Sequence, residues 1–403
     1  MGKKSGIITS RRGVLKGAAA TAGLAAAAGF VPTRFAIGQT APLKIGFMLP
    51  YSGTYAQLGQ AITEAFKLYV DEQGGALGGR QVEYVQLDSE ADPSKAPENM
   101  NRLVSRDQVD FVVGPVHSGV AMGMAKVARD TDAMLVIPNA GVGAATGPLC
   151  APNIFRASFS NWQPAYPMGS VAAEKGHKTA VTLSWKYGAG DESTGGFKEG
   201  FTKAGGEVIE EMFLPFPDVE FQSPLTRIAS LGPDCVYVFF AGGGAIKFVK
   251  DYHAAGLRNS IPLYGPGFLT DGTLEAQGEA AEGLETTLHY GDGLDLPKNL
   301  AFREAFSKVS ELEPDVYAVQ GYDSAQLIDA GLKAVEGDTD ARDEMVEAME
   351  TTEIDSPRGK FTLSKAHNPI QDIYLREVRD GKNMVVGVAA KALEDPARGC
   401  QLA

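Results

Sequence analysis

Cysteine is scarce in this chain: three residues among 403, at Cys150, Cys235 and Cys400, leave one odd thiol whatever pairs and exclude a disulfide-stapled scaffold. Histidine is nearly as sparse, and His117, His177, His253, His289 and His367 keep no paired metal-ligand spacing, so no metal site is expected. The nucleotide signatures are missing as well. Gly188-Ala189-Gly190 and Gly242-Gly243-Gly244 both lack the third glycine of a dinucleotide fingerprint, and no Walker-type phosphate loop is present. Without Gly-x-Ser-x-Gly there is no nucleophile elbow either. These absences leave no catalytic machinery and no cofactor to assign: the chain reads as a binder, not an enzyme. Positive charge is in deficit, with 37 basic against 50 acidic residues, which argues against nucleic acid or anionic lipid as partners. Beyond residue 31 no apolar run approaches the length of a membrane span.

What is present begins with a leader. Ser10-Arg11-Arg12-Gly13-Val14-Leu15-Lys16 stands just before an Ala/Gly-rich apolar stretch from Gly17 to Val31, with Lys3 and Lys4 upstream. The pair reads as a twin-arginine translocation signal, an ordinary secretory signal being the alternative. Ala36-Ile37-Gly38 supplies small residues for a signal peptidase, so residues 1–38 are expected to be removed and the mature chain to begin near Gln39. Removal takes six basic residues and no acid, leaving 31 against 50 and a balance of −19. The expected product is a free periplasmic protein whose length suits two domains. Cys235 sits in an apolar strand pattern as a core thiol. Cys150 and Cys400 lie in irregular Pro/Gly-containing stretches, and in an oxidising compartment they could bridge or both stay reduced.

One grammar is used twice along the chain. Leu43 to Leu49 is a strand pattern, followed by a glycine-bearing loop and a helix face of Leu58, Ile62, Phe66 and Tyr69, then a strand from Val82 to Leu87. Thr179 to Ser184 repeats it, with a loop over Tyr187 to Gly196, a helix face of Phe197, Phe201 and Ala204, and a strand from Val208 to Phe213. Each half continues into an apolar strand opened by aspartate, at residues 110–114 and 234–240, and then into a glycine-bearing turn and helix. Strands apolar on both faces that alternate with helices call for parallel sheets covered on both sides. The fold class is therefore α/β, with two doubly wound, Rossmann-like parallel-sheet domains whose strand ends face one cleft. A further helix is expected over 314–335, and short closing strands over 361–363 and 373–378.

The turn after Val113 carries the strongest binding signal. A helix opening at Ser118-Gly119 presents backbone N–H groups and the positive end of its dipole, and Ser118 adds a hydroxyl, so a carboxylate can be held there. Ser118 acting only as a helix cap is the bland alternative. His117 beside it is a candidate donor to the same ligand. Asn139, Ala140 and Gly141 end the next strand with short side chains that let a ligand approach the backbone.

Several segments together carry a resemblance to a known family: Pro50-Tyr51-Ser52-Gly53, Gly74-Gly75-Ala76-Leu77-Gly78-Gly79-Arg80, Asp88 with Pro93, Gly114-Pro115, Phe155-Arg156, Tyr187-Gly188, Ala254-Ala255-Gly256-Leu257 and Gly265-Pro266. In these the chain resembles the type I periplasmic binding proteins of the leucine/isoleucine/valine-binding family. The resemblance implies two domains joined by a hinge of three crossovers and closing on a ligand. It places one lobe over residues 43–157 plus 288–367 and the other over 158–287 plus 368–403. It also implies a monomeric receptor that serves the permease and ATPase of an ABC importer.

The departures bear on the ligand. The hydroxyl residue that helps hold an ammonium in the amino-acid receptors falls on Gly141, and the acid that should follow Gly265-Pro266 is replaced by Gly267. The covering aromatic of the second domain falls near Ala241. An ammonium in a closed cleft without an anion would be poorly compensated, by several kcal/mol. A small carboxylate with an aromatic ring fits better, stacked among Tyr51, Tyr55, Trp162, Trp185, Tyr187, Phe240 and Phe268. Around Ser158 to Gln163 and the Cys400 tail the chain also resembles the subgroup that takes up benzoate-like or phenylpropenoate acids. The expected ligand contacts are Tyr51, His117, Ser118, Asn139, Ala140, Gly141, Trp162, Tyr187, Phe240 and Gly267. An amino-acid or amide receptor with Asp271 as the anion is the runner-up, and a ligand-sensing subunit for a membrane receptor is the alternative of another class.

Overall fold

The computed structural model describes residues 41–402, so the leader and its cleavage site lie outside the described residues. The first sheet contains β1 (Leu43–Leu49), β2 (Ala76–Leu77), β3 (Arg80–Asp88), β4 (Phe111–Val113), β5 (Met134–Ile137) and β6 (Ile154–Arg156) in the order β2-β3-β1-β4-β5-β6. All its pairings are parallel except the short β2–β3 ladder, and Ile45 stands opposite Phe111 in the β1–β4 register. Six of the seven residues of β1 are buried, as a central strand covered on both faces requires. Leu58, Ile62, Phe66 and Tyr69 form the buried face of the helix Ala56–Glu72.

The second sheet contains β7 (Thr179–Trp185), β8 (Glu207–Leu214), β9 (Cys235–Phe239), β10 (Leu263–Pro266), β11 (Glu285–Leu288), β12 (Thr362–Leu363), β13 (Pro369–Arg379) and β14 (Lys382–Leu393). Its order is β12-β13-β11-β10-β9-β7-β8, with β14 beside β13. The strands β7 to β11 pair in parallel, while β13 runs antiparallel to β11, β12 and β14. Thr362–Leu363, expected in the first lobe, thus pairs within the second sheet. The chain crosses three times: after β6 from the first sheet to the second, after β11 to helices packed on the side of the first sheet, and before β12 back to the second sheet. After β11 the helix Val316–Ala334 packs on Ala56–Glu72, where a Cβ on Gly321 would lie 2.1 Å from the Ile62 carbonyl oxygen.

Two expectations are corrected here. Residues 188–196, read as a loop, are the first half of the helix Gly188–Lys203. Gly190 and Gly200 provide close approach and not flexibility. A Cβ on Gly190 would lie 1.8 Å from the Trp185 carbonyl oxygen, and one on Gly200 would lie 2.1 Å from that of Tyr166. The closing strand expected over 373–378 extends over all of β13 and returns as β14 through Asp380-Gly381. The sequence hid β14 because its mostly exposed and half-exposed residues, rich in Ala and Lys, do not alternate.

Cys150 and Cys400 are joined by a disulfide, and Cys235 is a buried free thiol. Among the described residues no helix is long and apolar enough to cross a membrane, and no group of three or more His, Cys, Asp or Glu side chains could hold a metal ion.

Candidate functional site

The carboxyl ends of both sheets meet around a small cavity. Val116 and Ser118 follow β4, Asn139 and Gly141 follow β5, and Phe159 and Asn161 come from the crossover after β6. From the other side Tyr187 and Ala189 follow β7, Phe239 and Ala241 come from the end of β9, and Phe268 follows β10. Tyr55, Leu58 and Tyr317 complete the wall.

Three helices begin at this wall: Ser118–Thr131, Gly188–Lys203, and Gly242–Ala254 with Ala241 at its N-cap. A Cβ on Gly188 would be 3.5 Å from the Ser118 Cβ, so the first two helix starts touch across the cleft. A Cβ on Gly242 would be 2.2 Å from the Thr54 carbonyl oxygen, which brings the third start against the opposite sheet. Each helix start carries about half a positive charge together with N–H groups lacking intrahelical acceptors. No charged side chain is among the described residues that line the cavity. Such a wall attracts an anion and offers an ammonium no side-chain carboxylate.

The polar side chains are held in a defined polarity. The Asn161 amide Nδ2 donates to Ser118 Oγ at 3.3 Å and to Glu192 Oε2 at 2.8 Å. Asn139 Nδ2 donates to Gln320 Oε1 at 2.7 Å. The Tyr55 and Tyr187 hydroxyls meet at 2.8 Å, closing one end of the cavity with a bond between the two sides of the cleft. The buried Tyr317 hydroxyl has no protein partner and lines the cavity, so it remains available to a ligand.

Of the residues expected from the sequence, Ser118, Asn139, Gly141 and Tyr187 line this cavity. Gly141 serves by lacking a side chain, since a Cβ there would lie 2.4 Å from Asn161 Oδ1 and 2.6 Å from the Phe159 ring. The other six are placed elsewhere. His117 caps the helix, its Nδ1 accepting from Gly119 N at 3.1 Å, and stacks on Tyr187 at 4.5 Å. It lines an outer vestibule with Pro93, Lys186 and Phe216, separated from the inner cavity by Tyr187. Burial pushes the His117 imidazole down to about 4, which suits a neutral ring that accepts at Nδ1. Tyr51 is bonded to Thr63 Oγ1 at 2.8 Å. Ala140 donates its N–H to the Pro115 carbonyl at 3.1 Å, holding two strand-end turns together without reaching the cavity.

Trp162 opens the helix Trp162–Glu174, stacks on Tyr166 and donates to Glu199 at 3.0 Å. It borders a separate side pocket with Ser160, Glu192, Asp395 and Arg398. Phe240 points into the core against Trp185, Phe221 and Phe248, because neighbouring residues at a strand end face opposite sides and Phe239 takes the cavity side. Gly267 makes room for a cation: a Cβ there would lie 2.2 Å from Arg376 Nη2. That guanidinium pairs with the buried Asp271 at 2.7 Å, so the proposed ammonium partner is already engaged and does not line the cavity.

Tyr55 and Phe268, counted among the aromatic possibilities, do line the cavity, whereas Phe159, Phe239, Leu58 and Tyr317 went unrecognised. Phe240 was the expected contact and Phe239 takes its place, because adjacent strand residues point to opposite faces. Tyr317 carried no local signal, as it reaches the site from a helix far along the chain.

A family model described as "Periplasmic binding protein" matches residues 42–383. The Leu/Ile/Val-binding protein homolog 6 of Brucella melitensis biotype 1 is 33% identical over 343 residues, which is 83% of this chain and 87% of that protein. The solute-binding protein of an ABC transporter from R. palustris, solved in complex with benzoate, superposes with a TM-score of 0.87 at 52% identity, covering 89% of this chain and 99% of that one. A second, from Rhodopseudomonas palustris BisB5 in complex with 3,4-dihydroxybenzoic acid, gives a TM-score of 0.83 at 31% identity, covering 88% and 99%.

Proposed function

The chain belongs to the periplasmic binding protein family, and from that premise we propose that it is the solute receptor of an ABC importer for a small aromatic acid, benzoate- or cinnamate-like. The observation that carries this reading is the cavity wall: aromatic rings, three helix starts and no charged side chain among the described lining residues. The carboxylate meets Ser118 and the helix amides, the ring lies among Phe159, Phe268, Tyr55 and Tyr187, and the Tyr317 hydroxyl is left for a polar ring substituent. The function is performed by closure, in which both sides contribute contacts and the ligand favours the closed state. An importer that recognises that state then takes the ligand on. The solved relatives with benzoate and 3,4-dihydroxybenzoic acid support the ligand class. The amino-acid reading loses its anion, because Asp271 faces Arg376.

A thermal-shift screen tests the class. At 100 times its dissociation constant a ligand adds about 2.7 kcal/mol of stability. Benzoate, hydroxybenzoates or cinnamates should raise the melting temperature, while leucine, isoleucine, valine and their amides should not. A shift produced by the amino acids alone would overturn the reading.

For the leader we propose export by the twin-arginine route, with the receptor acting in the periplasm as a monomer. Arg11→Lys combined with Arg12→Lys should hold the protein in the cytoplasm at its precursor length, read by fractionation and blotting. An undiminished periplasmic yield would instead assign the leader to the general secretory route.

A further inference from the structure

Glu192 belongs to neither the cavity wall nor the hydrogen-bonding of its own sheet, yet it is the only acid bonded to a polar side chain of the site among the described residues. It rides on the helix Gly188–Lys203, between β7 and β8 of the second sheet. Its two carboxylate oxygens both accept from the backbone N–H of Gly143, at 3.0 and 2.9 Å, and Gly143 lies between β5 and β6 of the first sheet. Oε2 also accepts from Asn161 Nδ2 at 2.8 Å, and that same nitrogen donates to Ser118 Oγ at 3.3 Å. Burial pushes the Glu192 carboxyl up from its usual range, while the donors Asn161 and Gly143 and the Arg156 charge pull it back.

The polarity of this chain of bonds is forced. Carboxylate oxygens accept and do not donate, so Asn161 must turn its NH2 toward Glu192. The same NH2 then donates to Ser118 Oγ, which occupies the hydroxyl as an acceptor there and leaves its own proton to be given into the cavity. A hydroxyl that donates is what a ligand carboxylate needs.

We propose that Glu192 is the latch of the closed cleft and a positioning residue for the ligand: it clasps Gly143 across the two sheets and, through Asn161, aims the Ser118 hydroxyl proton at the bound carboxylate. Opening the cleft must break the Glu192–Gly143 bonds, so closing and arming of the site are one event. The ligand in this inference rests on the aromatic-acid reading, but the latch geometry does not.

The test uses the mature protein with benzoate as the probe. Glu192→Gln should weaken benzoate binding at least tenfold by calorimetry, with the loss appearing in the dissociation rate by stopped-flow fluorescence. The melting temperature of the unliganded protein should stay within a few degrees. Ser118→Ala is the reference: Glu192→Gln added to Ser118→Ala should cost less than it does alone, because the proton it directs is already gone. Small-angle scattering of the unliganded proteins reads the latch without any ligand, and Glu192→Gln should enlarge the radius of gyration. Unchanged affinity in Glu192→Gln overturns the proposal. If the wild-type protein takes no benzoate, the ligand reading fails, and the scattering then decides the latch alone, an unchanged radius overturning it.

Discussion

Replacing Arg376 by methionine should lower the unfolding free energy by about 3–5 kcal/mol, the range for stripping one partner from a buried ion pair. Arg376 and Asp271 are both buried, with guanidinium and carboxylate 2.7 Å apart. The guanidinium also donates to the Tyr290 carbonyl at 2.9 Å and to Thr286 Oγ1 at 3.0 Å, and methionine would leave those acceptors unmet too. The loss should depend on pH in a definite direction. Burial pushes the Asp271 carboxyl up to about 6 even with Arg376 lowering it. Between the ordinary carboxylate range and that value the folded state binds more protons than the unfolded one, so stability falls as pH rises. Without the guanidinium the carboxyl rises further, and the window widens upward. Denaturant titrations should therefore find the variant's deficit larger at pH 8 than at pH 5. Adding Asp271→Leu should recover most of it. A deficit below about 1 kcal/mol at pH 8 would mean the pair is not a cornerstone of the second sheet.

Removing the Cys150–Cys400 disulfide should cost about 2–5 kcal/mol while leaving the fold in place. The bridge closes a separation of 250 residues, tying the segment between β5 and β6 to the tail beyond β14. Its cysteines lie outside the three buried hydrophobic clusters of the core. Reductant should therefore lower the denaturation midpoint without abolishing the far-ultraviolet dichroism. Burial pushes the Cys235 thiol up to about 12, which keeps it out of exchange and leaves the effect to the bridge. An unmoved midpoint, or wholesale loss of structure, would contradict this account.

The architecture was legible because it is written in periodicity: the apolar strands at 43–49 and 179–185 and the helix face at Leu58, Ile62, Phe66 and Tyr69 need only local pattern to be seen. The site was half legible. Ser118, Asn139, Gly141 and Tyr187 stand at strand ends, where topology sends them to the cleft. Phe240 was misplaced because an aromatic at a strand end has two faces to choose from, and Trp162 because it opens a helix and borders a side pocket instead of the cavity. Gly267 was read as a missing acid, when the empty position accommodates a guanidinium arriving from β13, more than a hundred residues later. Glycines at 190 and 196 looked like a loop because close helix packing and chain flexibility ask for the same residue.

The charge preference of the cavity comes largely from the main chain, at the starts of three helices. It follows that substitutions among the lining rings can retune which substituents fit without touching the preference for an acid. A lineage built on this scaffold can thus explore new aromatic nutrients one side chain at a time, with selectivity for anions inherited unchanged in the backbone.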